Sequence, residues 1–215
     1  MSKKEQLMIV SISYLISIAG SFGLSYLKVN NLDFFGLLSA FKVSTLLTVW
    51  WIFYFKFGWR IPVLNKILYR INLSGTWYGT YESARPDNNE SYKGNIVLRI
   101  YQDFLKISII SFTEKYINYS YSEEIKYEDK SNTHGLVYVY SQKENNPFDL
   151  DARNGTSDLK VLRYQDTYKL EGEFWTILGT KGILKVLKVS DKIVDSFMDG
   201  KMLYNKSKYK LKRGN

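Results

Sequence analysis

The side chains able to do acid–base or nucleophilic work are few and poorly grouped. His134 is the only histidine, and it sits in a Ser-Asn-Thr-His-Gly stretch with turn character. Glu171 and Glu173 stand two residues apart in a segment with strand alternation, so both carboxylates share one face. Paired carboxylates can run general acid–base chemistry, but a solvated strand face accounts for this pair better. Asp149 and Asp151 lie in a loop and offer a weak site for a cation. The chain has no cysteine, hence no disulfide framework and no thiolate metal site. It carries no Gly-x-Ser-x-Gly, Walker or His-Glu-x-x-His pattern. We therefore read it as a non-enzyme, with no catalytic residues, no metal and no cofactor. What it does have is tyrosine, 18 in all and mostly beyond residue 75. Tyrosines supply flat faces for stacking and O–H donors, which is the chemistry of binding.

The segments that carry these tyrosines read as β-strand. The expected strands are 75–83, 94–102, 104–112, 116–127, 135–143, 158–164, 168–176 and 181–188. Several alternate cleanly: Ile96, Leu98 and Ile100 share one face, and Asn95, Val97, Arg99 and Tyr101 share the other. Leu105, Ile107 and Ile109 repeat the period, as do Tyr168, Leu170, Gly172 and Phe174. Expected loops are Arg85-Pro86-Asp87-Asn88-Asn89, Asn145-Asn146-Pro147, Asn154-Gly155-Thr156 and Gly179-Thr180-Lys181-Gly182. Eight short strands without interleaved helices predict an antiparallel meander. Closing it removes exposed edges and encloses room for one small ligand. The predicted fold is an eight-stranded antiparallel up-and-down β-barrel, lipocalin-like, with an open sandwich as the alternative. In Asn72-Leu73-Ser74-Gly75-Thr76-Trp77-Tyr78-Gly79-Thr80-Tyr81, the residues Gly75, Trp77, Gly79 and Tyr81 share a face. A tryptophan between glycines can cap the closed end of a small barrel, because the glycines let neighbouring backbones approach.

Ahead of the barrel lie two apolar stretches. Residues 7–27 are free of charge, and residues 34–55 carry only Lys42. As a helix the first spans roughly 31 Å, close to the ~30 Å of a bilayer's hydrocarbon core. Trp50, Trp51, Tyr54 and Trp59 gather at the end of the second as an interfacial belt would. The first stretch is too long for the apolar core of a signal peptide, and no cleavage site follows it. We expect a two-helix transmembrane hairpin in residues 1–59, turning at Asn30-Asn31, then a linker (60–73), the barrel (74–190) and a basic tail (191–215). In the linker Leu64, Ile67, Leu68 and Ile71 suggest one short amphipathic helix, and Asp191–Tyr204 reads as a short helix. Lys3, Lys4, Lys56, Arg60, Lys66 and Arg70 flank the hairpin, whereas its loop holds one lysine and one aspartate. The positive-inside rule then places both termini and the barrel in the cytoplasm of a two-pass inner-membrane protein.

The net charge of +9 is not spread evenly. Residues 1–70 hold eight Lys/Arg against two acids, and residues 201–215 hold six against none. The stretch between carries 16 Lys/Arg and 19 Asp/Glu. Positive charge thus concentrates where anionic lipid would attract it, and the barrel lacks the basic field that long nucleic acid requires.

A two-span hairpin, a short linker and Leu73-Ser74-Gly75-Thr76-Trp77-Tyr78-Gly79-Thr80-Tyr81 opening an eight-strand domain resemble one family: the two-transmembrane, β-strand-rich effectors of CBASS antiphage systems (the CD-NTase-associated protein 15 family). The resemblance implies that a partner nucleotidyltransferase makes a cyclic dinucleotide, which the barrel binds. The effector then forms homo-oligomers, and its spans disrupt the inner membrane, killing the infected cell. Such a ligand needs donors for two phosphates, and aromatic faces or polar edges for two bases. The candidates are Tyr78, Tyr81, Arg99, Tyr101, Tyr138, Tyr140 and Arg163, with the hydroxyls of Ser111 and Thr113; Gly75, Trp77 and Gly79 are assigned to structure. Arg99 points inward only if Ile96, Leu98 and Ile100 point outward, which alternation leaves open. The alternative function is a membrane-anchored, lipocalin-like carrier or scaffold for an apolar ligand or a protein partner.

Overall fold

Eight antiparallel strands close into a barrel in sequence order, β1 pairing with both β2 and β8. The structure is a computed structural model that describes residues 3–29, 43–66, 68, 70–84, 91–128, 133–143 and 154–213. The strands are β1 (Gly75–Ala84), β2 (Ser91–Gln102), β3 (Ile107–Phe112), β4 (Ile117–Glu128), β5 (Thr133–Lys143), β6 (Asn154–Tyr164), β7 (Thr167–Thr176) and β8 (Lys181–Ser190). All eight expected windows are strands, which decides for the barrel over the open sandwich. Nine of the sixteen boundaries move, by one to four residues, and three of the shifts change how a stretch reads. β3 starts at Ile107, because Asp103–Leu105 turns, with Leu105 N donating to Asp103 Oδ1 at 2.8 Å. Thr133 and His134 belong to β5 rather than to a turn. Asn154-Gly155-Thr156 opens β6 instead of forming a loop.

Alternation fixes the inner face. Trp77, Leu98, Ile100, Ile109, Leu136, Leu159, Leu170 and Val186 are buried and fill one end of the barrel. That end is fastened by polar groups at the entry to β1. Trp77 Nε1 donates to Leu73 O at 3.0 Å, Leu73 N donates to the buried Gln102 Oε1 at 2.8 Å, and Thr76 Oγ1 donates to Lys192 O at 2.5 Å. Gly79 serves closure: a Cβ there would lie 1.9 Å from Lys185 O and 2.7 Å from Val186 Cα on β8. Gly75 has φ +129°, which a side chain would strain.

A helix, α1, runs from Lys3 to Val29, and a second, α2, from Val43 to Lys56. The expected span at 34–55 is therefore described only from Val43 onward. Among the described residues no helix is long and apolar enough to cross a membrane. A 3₁₀ turn, Gly58–Arg60, precedes the expected linker helix and another, Leu64–Lys66, occupies its start; Ile67 of that helix lies outside the described residues. By contacts the chain forms two units, one of Met1–Asn72 with Asp103–Leu105, the other of Leu73–Gln102 with Lys106–Asn215. In the first unit Tyr54, Trp59, Leu68 and Phe104 form a core. Phe104 stacks on Phe55 at 5.1 Å and meets Tyr54 edge-on at 5.7 Å. Trp51 Nε1 donates to Ser13 Oγ at 2.9 Å, and Met8 and Ile9 pack on the core around Tyr54, so α1 and α2 run antiparallel.

In the second unit a third helix, α3 (Phe197–Arg213), covers part of the barrel's outer face. It is longer than the short helix read from the sequence and takes in the basic stretch expected to be a tail. Ser196 caps it: Asp199 N donates to Ser196 Oγ at 3.1 Å, and Ser196 Oγ donates to Asp199 Oδ2 at 2.6 Å. Val97, Phe112 and Tyr78 of the barrel meet Phe197, Leu203 and Tyr204.

The glycine geometry yields a paired expectation. Gly79→Ala drives a methyl into β8 backbone and lowers stability by about 3 kcal/mol. Gly135→Ala, whose Cβ would meet nothing nearer than Leu159 O at 3.6 Å, leaves it unchanged or slightly raised. Urea unfolding midpoints compare the two; equal effects contradict the packing described.

Candidate functional site

The end of the barrel opposite the packed core is hollow. A cavity of about 550 Å³ lies among the upper halves of the strands and the Thr113–Tyr116 and Leu178–Thr180 turns. That volume suits a small organic ligand. Its making is local: three aromatic rings lie flat against the wall, each over a glycine directly across the strand pair. A Cβ on Gly94 would fall 2.7 Å from the Tyr81 ring, one on Gly155 2.5 Å from Tyr140, and one on Gly182 2.5 Å from Phe174. The pairs are register partners, Tyr81↔Gly94, Tyr140↔Gly155 and Phe174↔Gly182. Tyr81 adjoins Tyr92 at 6.1 Å and Phe174 at 6.4 Å between centroids, and Tyr138 adjoins Tyr140 at 5.9 Å.

The lining between the rings is polar and mostly uncharged: Ser83, Ser111, Asn118, Gln142, Ser157 and Thr176, with Lys93, Glu114 and Lys115 also contributing. Asn118 Nδ2 donates to Ser111 Oγ at 2.8 Å. Asn118 Oδ1 and Thr176 Oγ1 are buried and have no partner among the described residues. Burial pushes the Tyr81 phenol up to about 12, helped by Tyr92 beside it. Burial does the same to Tyr138, also to about 12, against a hydrogen bond with Ser157 that lowers it, and holds Tyr140 higher still. At neutral pH these phenols are protonated donors. They suit an acceptor-rich, anionic guest that also has flat faces to stack.

The residues expected at the site divide. Tyr81, Ser111, Thr113, Tyr138 and Tyr140 come together around the cavity. Tyr78 faces outward, stacked on Tyr204 of α3 at 4.5 Å. Arg99 faces outward and pairs with Asp195, because Ile96, Leu98 and Ile100 take the inner face. Tyr101 shares that outer face and is exposed. Arg163 is exposed on β6, six residues beyond Ser157, roughly 20 Å along the strand. Gly75, Trp77 and Gly79 lie in the packed structure of β1. Of the residues weighed for chemistry, Glu171 is bound by Lys169 at 2.5 Å and Lys185 at 3.0 Å, which hold its carboxyl below the ordinary range. His134 lies against Tyr127 at 4.9 Å, and burial lowers its proton affinity. Asp149 and Asp151 lie outside the described residues, as do the loops at 85–90 and 145–147. Among the described residues no cluster of acids or histidine could hold a metal ion.

The sequence reading did not find Ser83, Tyr92, Asn118, Gln142, Ser157, Phe174 or Thr176. Ser83 follows from Tyr81 by alternation, and Phe174 from Leu170 and Gly172. Asn118 was hidden by a β-bulge between Ser120 and Ser122, which moves the inner face of β4 from even to odd residues.

A family model described as Cap15, cyclic dinucleotide receptor domain, matches residues 71–188, the whole barrel but the last two residues of β8. The chain belongs to this family. No curated protein matches it. The Cap15 domain is a receptor module of CBASS effectors, and a cyclic dinucleotide fits the cavity's chemistry: two phosphates for neutral donors and two bases for rings and amides.

The buried phenols set a pH dependence. An unfolded tyrosine loses its proton near 10, whereas Tyr81 and Tyr138 keep theirs to about 12. Stability contributed by the neutral phenols is therefore present below pH 10 and is lost as pH rises through 12. Phenolate absorbance should show these groups titrating above the range of free tyrosine; Tyr138→Phe should remove one late-titrating group.

Proposed function

We propose that this chain is a membrane-anchored CBASS effector. Its barrel receives the cyclic dinucleotide of a partner nucleotidyltransferase in the cavity at the Tyr81 end. Occupancy favours a state that self-associates, and the assembled N-terminal helices disrupt the bacterial inner membrane, ending the infected cell. The observation that carries this reading is the cavity itself, a hollow lined by neutral phenols, stacking faces and amides inside a barrel of the Cap15 family.

The membrane arm rests on separate support. Helix α1 exposes large apolar side chains, among them Leu7 at 69% and Phe22 at 74%, which water disfavours and lipid or another helix accepts. Its serines turn inward on the helix: Ser13, Ser17 and Ser21 each donate to the carbonyl four residues back at 2.8 Å, so they cost little in an apolar setting. The flanking lysines and arginines favour two passes with both termini and the barrel in the cytoplasm. The alternative of a carrier for an apolar ligand would need a lining without donors, and this cavity has many.

Two measurements test the proposal. Cells expressing the chain with an active partner synthase should take up a membrane-impermeant dye, and cells without the synthase should not. Equal uptake, or none with the cyclic dinucleotide present, contradicts the membrane role. In calorimetry Tyr81→Phe should weaken cyclic dinucleotide binding by roughly tenfold or more, the worth of a hydrogen bond to a charged group. Tyr101→Phe, on the outer face, should leave it unchanged.

A further inference from the structure

Of the cavity's rings Tyr81 stands on β1, Tyr92 on β2, Tyr138 and Tyr140 on β5 and Phe174 on β7. Ser111, Asn118 and Gln142 stand on β3, β4 and β5 as consecutive register partners, Ser111↔Asn118 and Asn118↔Gln142, all lining the cavity. Partners of this kind hold their side chains about 5 Å apart. The Asn118 amide is held at one end only: its Nδ2 donates to Ser111 Oγ, and its Oδ1 is buried with no partner among the described residues. A buried carbonyl oxygen left unpaired is costly, and only a donor relieves it. A phosphate diester carries no donor. The exocyclic amine of a base does.

We propose that the Ser111–Asn118–Gln142 row reads the edge of a base and so selects among cyclic dinucleotides, the phosphates falling to the phenols. This rests on the cavity being the dinucleotide site. Asn118 Oδ1 is buried beneath the lining, so the amide turns toward the cavity to accept the amine, and the Gln142 amide reaches the same edge from the next strand. A side-chain amide matches an amine donor beside a ring-nitrogen acceptor, the pattern adenine presents on its Watson–Crick and Hoogsteen edges. Ser111 acts as a positioning residue, since its hydroxyl holds Nδ2 and sets how far the amide turns.

The test is calorimetric titration of the full chain in detergent micelles with cyclic di-AMP, cyclic di-GMP and cyclic di-UMP. The wild-type chain should bind cyclic di-AMP at least tenfold more tightly than either of the others. Asn118→Ala and Gln142→Ala should each bring that ratio to within about threefold of unity. Tyr81→Phe should weaken all binding by a similar factor and keep the ratio. If Asn118→Ala does not fold, as judged by circular dichroism, Gln142→Ala carries the same comparison. An unchanged ratio in the amide variants, or a wild-type preference for cyclic di-GMP or cyclic di-UMP, overturns the base-reading role while leaving the cavity as the site. Failure of all three to bind the wild-type chain overturns the assignment of the cavity, and this inference with it.

Discussion

The flat seating of an aromatic ring over a glycine on the neighbouring strand governs the rest of this barrel. Eight strands enclose an interior just wide enough for side chains to fill, and at one end of this barrel they do. At the other end Tyr81, Tyr140 and Phe174 would meet near the axis if each projected inward. Gly94, Gly155 and Gly182 instead leave room at the wall, and the rings lie down into it. A glycine weakens a strand by itself, and the ring covering it restores the lost contact. The same pairing thus opens the cavity and surfaces it with aromatic faces.

Division of labour along the barrel follows. Trp77 and the aliphatic layer around it supply packed stability at one end, which permits a hollow at the other. The outer face is stabilised separately, by α3 laid across Tyr78, Val97 and Phe112. Gly200 allows that approach: a Cβ there would meet Val97 Cγ1 at 2.5 Å. The interior need not be filled for the domain to hold together, and a receptor can keep an empty site without losing its fold.

Strand number, order and type were legible because Val, Ile, Tyr and Thr alternate over eight windows separated by turn residues. Two of the boundary errors, at the starts of β5 and β6, share a cause: glycine was read as a breaker. Gly135 and Gly155 lie inside strands, and Gly155 does so because Tyr140 occupies the space above it. Site residues were legible only where parity was anchored. Gly75, Trp77 and Gly79 on the inner face imply Tyr81 inside and Tyr78 outside, so both could not line one cavity. For Arg99 the ambiguity was physical, since α3 lays apolar contacts on the outer face and makes Val97 as buried as Leu98. β4 was illegible for another reason. Its polar run from Asn118 to Glu124 has no apolar stripe to mark a face, and the bulge at Ser120 reverses parity halfway. The helix at the C-terminus was masked by its lysines, which spoke of charge and not of the Phe197, Gly200, Tyr204 face that packs.

The most direct measurement of the central claim is cyclic dinucleotide affinity in a Gly155→Ala variant, set beside its unfolding midpoint. A methyl at Gly155 would lie 2.5 Å from the Tyr140 ring and 2.8 Å from Trp175 O, so the ring must swing toward the axis and the β6–β7 seam must give by a few tenths of an ångström. The account predicts that binding falls by roughly a hundredfold or more while the barrel still folds. Wild-type affinity in a folded Gly155→Ala chain would contradict it.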